Sequence, residues 1–175
     1  YDLKAGTFLG LYAYRHLAQM GRPPNLPITF MFIPEEEVGS PYTRKYIEAA
    51  AAKAKYVLVG DPARDGGKVV VARKGVARFV MTATGRPDVT VEVSGGMNRP
   101  PYGLSEGGAA LFETAREASL EHGLDLQYTA ITGGGSDGNF TGAMGIPTLD
   151  GMGADGDGAH TLHEHILVSS LAPRA

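Results

Sequence analysis

The sequence predicts an α/β fold, a mostly parallel twisted sheet covered by helices on both faces. Three observations predict it. Apolar runs such as "ITFMFI" and "YVLV" have the composition of strands buried on both sides. Segments of helical period alternate with them. Acids stand at the ends of both runs, Glu35, Glu36 and Glu37 after the first and Asp61 after the second. In open α/β sheets, ligands collect at the carboxyl ends of strands.

Each element has its own signal. Residues 3–20 predict a helix with Phe8, Leu9, Leu11, Tyr12 and Leu17 on a broad apolar face, and Asp2 stands at the cap position. "GRPPNLP" breaks the chain before a buried strand over 28–33. An Ala-rich helix over 42–54 leads to a second buried strand over 56–59. "KVVVARKGVARFVMTATG" reads as two strands joined through Lys74 and Gly75, and "DVTVEVSGG" as an alternating strand. The two strands on either side of 85–88 meet with a hairpin-length join between them. Residues 105–122 predict an amphipathic helix with Ser105 as cap and Glu106 in its first turn. A strand over 126–131, a short helix from Asp137 and a short strand over 146–149 follow. Residues 163–171 open a last helix, with His163 and His165 along it and Glu164 as its first-turn acid.

Composition narrows the chemistry. The 175 residues suffice for one domain with a real core. The net charge of −3, with no basic stripe, gives no reason to expect nucleic-acid binding. No apolar run reaches the length of a membrane span. Without cysteine, disulfides, thiolate catalysis and zinc–sulfur sites are excluded together. Any metal must therefore sit on His, Asp and Glu.

Three adjacent carboxylates in "PEEEVGS" repel one another, and a cation would turn that repulsion into attraction. Two close divalent ions need several carboxylates, with His at the borderline-soft positions. They also need one free carboxylate to take a proton from water. Glu36 and Glu37 can supply one of each. Taken singly, each residue has a plainer reading: Asp2 a helix cap, Glu35 to Glu37 a solvated loop, Asp61 a turn opener before Pro62, Arg99 a surface residue. "HTLHEH" reads equally as surface histidines. "GGGSDG" is no phosphate loop, since no Gly-Lys-Ser/Thr follows. "ADGDGAH" fails as a calcium loop, with Ala159 and Ile166 at ligand positions. A dinucleotide-binding reading is weak because no GxGxxG follows a first strand.

Six stretches in order, "YDLKAG", "PEEEVGS", "VLVGDPA", "RPPYGLSEGG", "TGGGSDGN" and "GAHTLHEHILVSSL", resemble the di-zinc peptidase and aminoacylase family. The likeness is to its glutamate carboxypeptidase branch, related to succinyl-diaminopimelate desuccinylase, and covers almost the whole chain. The resemblance implies two zinc ions, with cobalt or manganese as substitutes. It implies Asp2 as the bridging carboxylate, Glu36 as general base, Glu37 and His160 on one ion and Asp61 on the other. Arg99 would hold the free α-carboxylate of the substrate, a bidentate task that suits Arg better than Lys. Backbone at Gly134 and Gly135 would lie along the substrate.

The resemblance also implies features that this sequence lacks. The upstream His-x-Asp motif is not present. A lid and dimerisation domain of about a hundred residues, a common domain size, is expected near 85–88 and is absent there. The expectation is one incomplete catalytic domain over 1–175, from a homodimeric parent, with this chain a monomer. The expected function is zinc-dependent release of a C-terminal amino acid such as glutamate from an acyl or peptidyl group. Its partners are a small peptide or N-acyl amino acid, with no nucleic acid and no membrane. The alternative is a fragment that binds metal or an amino-acid carboxylate without turnover. Cytoplasm and periplasm stay equally open.

Overall fold

The computed structural model describes all of residues 1–175. It is a mixed α/β structure built around short parallel strand pairs. Strand β1 (Val57–Leu58) will be paired with the later β6 (Thr148–Leu149), in parallel. Strand β2 (Val69–Val70) pairs in parallel with β5 (Tyr128–Thr129). Val70 and Asp150 exchange both backbone hydrogen bonds, at 2.7 and 2.9 Å. This antiparallel bridge sets β6 beside β2, so the strands run in the order β1-β6-β2-β5.

The core lies where helix α3 (Glu106–Leu120) meets this layer. Phe112 of α3 packs with Val69, Val71, Leu126 and Leu149, all buried. The sequence explains the helix directly. Ser105 accepts a hydrogen bond from the Gly108 amide at 3.0 Å, which satisfies one of the first-turn donors, and Glu106 sits against the positive end of the dipole. Helix α1 (Lys4–Gln19) opens the chain, and α2 (Arg44–Ala51) packs against α4 (Gly138–Ala143).

Strands β3 (Val76–Thr84) and β4 (Thr90–Arg99) form an antiparallel ribbon joined directly across 85–89. Period-two alternation places Phe79, Met81, Val91 and Val93 on one face, and all four are exposed. The C-terminal part carries β7 (Gly156–Asp157) paired with β8 (His165–Ile166), and ends in α5 (Leu171–Arg174).

Several expectations are corrected. Residues 28–33 join no ladder, and Ile28, Phe30, Met31 and Phe32 are exposed, Phe32 to 60%. β1 is shorter than expected and Leu58 is exposed, so it is not a strand buried on both faces. In α1 only Gly6 and Leu9 are buried, and Phe8, Leu11, Tyr12 and Leu17 face outward. No helix begins at His163. His165 lies in β8, where its backbone pairs with Asp157, and the chain turns helical only near Val168. Glu164 is therefore not a first-turn acid. Its carboxylate accepts from the Asp2 and His160 amides at 3.1 and 3.3 Å.

Candidate active site

Asp2, Glu36, Glu37, Asp61, Arg99, Gly134, Gly135 and His160 all line one cleft of about 340 Å³. They come from six separate stretches of the chain, and the fold brings them together by identifiable contacts. Helix α1 is seated by Gly6, whose Cα lies so close to the Gly60 carbonyl that any side chain there would overlap it. Gly60 directly precedes Asp61, so this one approach sets Asp2, ahead of α1, beside the end of β1. The 3₁₀ turn Glu36–Val38 ends at Gly39 in the left-handed region and turns Glu36 and Glu37 toward the cleft. Glu35 is spent on structure. Its carboxylate accepts from the Tyr42 and Thr43 amides and the Thr43 hydroxyl, at 2.6 to 2.8 Å, and these bonds hold it below the ordinary carboxylate range.

Asp2 is not a helix cap. Leu3 occupies that position without a side-chain bond, and the Asp2 carboxylate faces His160 instead. His160 Nε2 lies 3.0 Å from Asp2 Oδ2 and 3.1 Å from Glu37 Oε2. The three donor atoms fall within 4.8 Å of one another. The Glu37 carboxylate, and behind it Asp2, holds the His160 imidazole above its usual value despite some desolvation. Two carboxylate oxygens and one imidazole nitrogen converging from different stretches form a donor set that fits zinc, and cobalt or manganese also.

Asp61 lies outside that group of three. Its Oδ2 is 3.4 Å from Arg73 Nη2, and Arg73 gives its Nε to Asp150 Oδ2 at 2.5 Å. Asp150 also receives the Ser136 hydroxyl and the Gly151 amide. Burial first, and then the Asp150 charge, push the Asp61 carboxyl well up, with Arg73 opposing.

Arg99 is buried over the Phe140 ring, 5.5 Å from its centroid. Its Nη2 donates to Glu36 Oε1 at 2.6 Å, to the Glu36 carbonyl at 2.9 Å and to Asp137 Oδ1 at 3.0 Å. Ser40 Oγ, on a residue with φ of 52°, donates to the same Asp137 oxygen at 2.6 Å. Gly135 is needed for this packing, since a Cβ there would sit 2.5 Å from Arg99 Cδ and 2.9 Å from Val76 Cγ2.

Sequence reasoning missed Arg73, Asp137 and Asp150. One signal was available. An arginine inside "VVVARKG" has to find a buried anion, because a lone charge in an apolar strand is too costly to keep.

Helices and parallel strand pairs enclose a cleft of acids, arginines and one histidine, an α/β chain with a candidate metal-binding cleft. The chain belongs to peptidase family M20/M25/M40, whose model matches residues 1–175. Carboxypeptidase G2 of Pseudomonas sp. (strain RS-16) is 31% identical over 88 residues, 50% of this chain but only 21% of that protein's length. The crystal structure of aminopeptidase PepT from Bacillus cereus ATCC 10987 superposes with a TM-score of 0.62 at 17% identity. That superposition covers 98% of this chain and 67% of PepT, and at such identity it speaks for the fold alone.

Proposed function

We propose that the protein is a zinc-dependent amide hydrolase that releases a C-terminal amino acid, glutamate foremost, from a small peptide or N-acyl amino acid. The observation that carries this reading is the placement of Glu36 beside the Asp2–Glu37–His160 group in one cleft. Asp2, Glu37 and His160 would hold a metal ion, with Asp61 lining the same cleft. A metal ion held there supplies Lewis-acid polarisation of the scissile carbonyl and a water of lowered pKa.

Glu36 is the base. Burial, then the charges of Asp137, Glu37 and Asp2, raise its carboxyl to about 7 against the pull of Arg99. A carboxylate tuned to that range can accept a proton from the attacking water and deliver it to the leaving amine nitrogen. Arg99 orients the substrate through its free α-carboxylate. Its Nε is a buried donor without a partner, so the guanidinium keeps capacity for one more acceptor. Gly134 and Gly135 leave backbone open beside it.

A second reading has one observation in its favour. Asp61 is turned to Arg73, so the chain would bind a single ion or an amino-acid carboxylate without turnover. The test is Glu36→Gln, assayed for zinc content by elemental analysis and for cleavage of N-acylglutamate. Zinc retained with cleavage abolished supports the hydrolase. Undiminished cleavage in that variant removes Glu36 from the mechanism, and no cleavage by the unmodified chain leaves the binding reading.

A further inference from the structure

Four arginines line the cleft: Arg64, Arg73, Arg78 and Arg99. Two are neutralised, Arg73 by Asp61 and Asp150, and Arg99 by Glu36 and Asp137. Arg78 gives Nη1 to the Val38 carbonyl at 2.8 Å. Arg64 forms neither an ion pair nor a side-chain hydrogen bond, yet its Nε is buried. Only four buried side-chain polar atoms in the molecule lack a partner, and two of them are the Nε atoms of Arg64 and Arg99. A buried guanidinium nitrogen without an acceptor is costly, and an anion bound beside it would satisfy it.

The Arg64 backbone is firmly placed. It exchanges hydrogen bonds with Lys68 at 2.8 and 2.9 Å, and the Ala63 amide is fixed on the Ala154 carbonyl at 3.1 Å. The side chain therefore departs from a pinned loop three residues beyond Asp61, not from a mobile one.

We infer that Arg64 is a specificity-determining residue that binds the side-chain carboxylate of a dicarboxylic leaving amino acid, while Arg99 takes the α-carboxylate. Two arginines with an unpaired donor line one cleft, one for each carboxylate of a small dicarboxylic ligand, and the planar fork of Arg suits each. The inference rests on the amide-hydrolase reading for its substrate, and it can be tested without turnover.

The experiment is calorimetric titration of the purified chain, zinc-loaded, with free L-glutamate and free L-glutamine. The unmodified protein should bind glutamate more tightly, by roughly ten- to a hundredfold, the range for one charge-assisted hydrogen-bonded pair. Arg64→Met should bring that ratio close to one while changing glutamine affinity little. Arg64→Lys, which keeps the charge, should restore most of the preference. Three results overturn the inference: no glutamate preference in the unmodified protein, a preference that survives in Arg64→Met, or one abolished by Arg78→Met alone. Because the readout is binding, a chain that prefers glutamate but never cleaves an amide would refute the hydrolase and leave the role of Arg64 standing.

Discussion

Glu36 and Arg99 are paired at 2.6 Å, yet the Glu36 carboxyl is raised to about 7. A guanidinium at that distance ordinarily lowers a carboxylate. Here the same Nη2 also serves Asp137, so its field is shared between two acids. Burial disfavours the ionised form of Glu36, and Asp137, Glu37 and Asp2 add negative charge around it. The attraction of one divided cation is outweighed.

The pairing has a consequence for stability against pH. A carboxyl raised from 4.5 to about 7 on folding binds more protons in the folded than in the unfolded state between those values. Its stabilising contribution is whole below the unfolded value and is lost as pH rises through about 7. Glu36→Gln removes that loss and keeps a carbonyl for Arg99. In metal-free protein, the variant should match the original near about pH 4 and exceed it near about pH 8, the two sides of the window. Urea midpoints at the two pH values measure it, and equal differences at both would refute the raised carboxyl.

Arg73 is the cation of a buried cluster with Asp61, Asp150 and Ser136. Removing it strands two carboxylates, one of them fully buried. Arg73→Met should lower stability by ~3–5 kcal/mol, the range for breaking a buried ion pair by deleting one partner. Chemical denaturation measures the loss. The double variant Arg73→Met with Asp150→Asn should recover part of it, and no recovery would mean that the charges are not what Arg73 balances.

The sequence made the elements of local origin legible. Helix α3 was readable because its cap, first-turn acid and apolar period all lie within one stretch. The shared cleft was legible in part, because Asp61 follows β1 and Gly39 closes the turn that carries Glu36 and Glu37. Residues 28–33 show the limit. Their apolar, β-branched content specifies extended backbone, but a ladder needs a second strand, and period alone cannot say whether one is there. β7 escaped notice because Gly156 and Asp157 carry no strand signal, and its partner His165–Ile166 was then absorbed into an expected helix. Asp137 is found only when the fold puts it beside Arg99, and only the fold shows that Asp61 and Asp150 are the anions Arg73 meets.

Gly6 should tolerate no side chain. Any Cβ would overlap the Gly60 carbonyl, which is backbone and cannot turn away. Gly6→Ala would gain helix propensity of about 1 kcal/mol in an open site, so the expected sign here is opposite to the helix rule. The variant should unfold at lower denaturant and should lose metal, since α1 carries Asp2. Stability at or above that of the original would show that α1 does not rest on the end of β1.

Metal binding separates the roles of His160 and Asp61. His160 has both Asp2 and Glu37 within 3.1 Å, whereas Asp61 is committed to Arg73. His160→Ala deletes the only nitrogen donor of the group and leaves two carboxylates to repel one another. Zinc affinity should fall by more than about tenfold, since even changes behind the ligands reach that size. Asp61→Asn keeps shape and a hydrogen-bond acceptor for Arg73. If one ion binds at Asp2, Glu37 and His160 alone, Asp61→Asn leaves its affinity within about the same order. If Arg73 releases Asp61 to a second ion, stoichiometry falls by one in Asp61→Asn and affinity for the first ion stays. Competition titration against a chromogenic zinc chelator reads both quantities, and unchanged zinc binding in His160→Ala would refute the three-residue site.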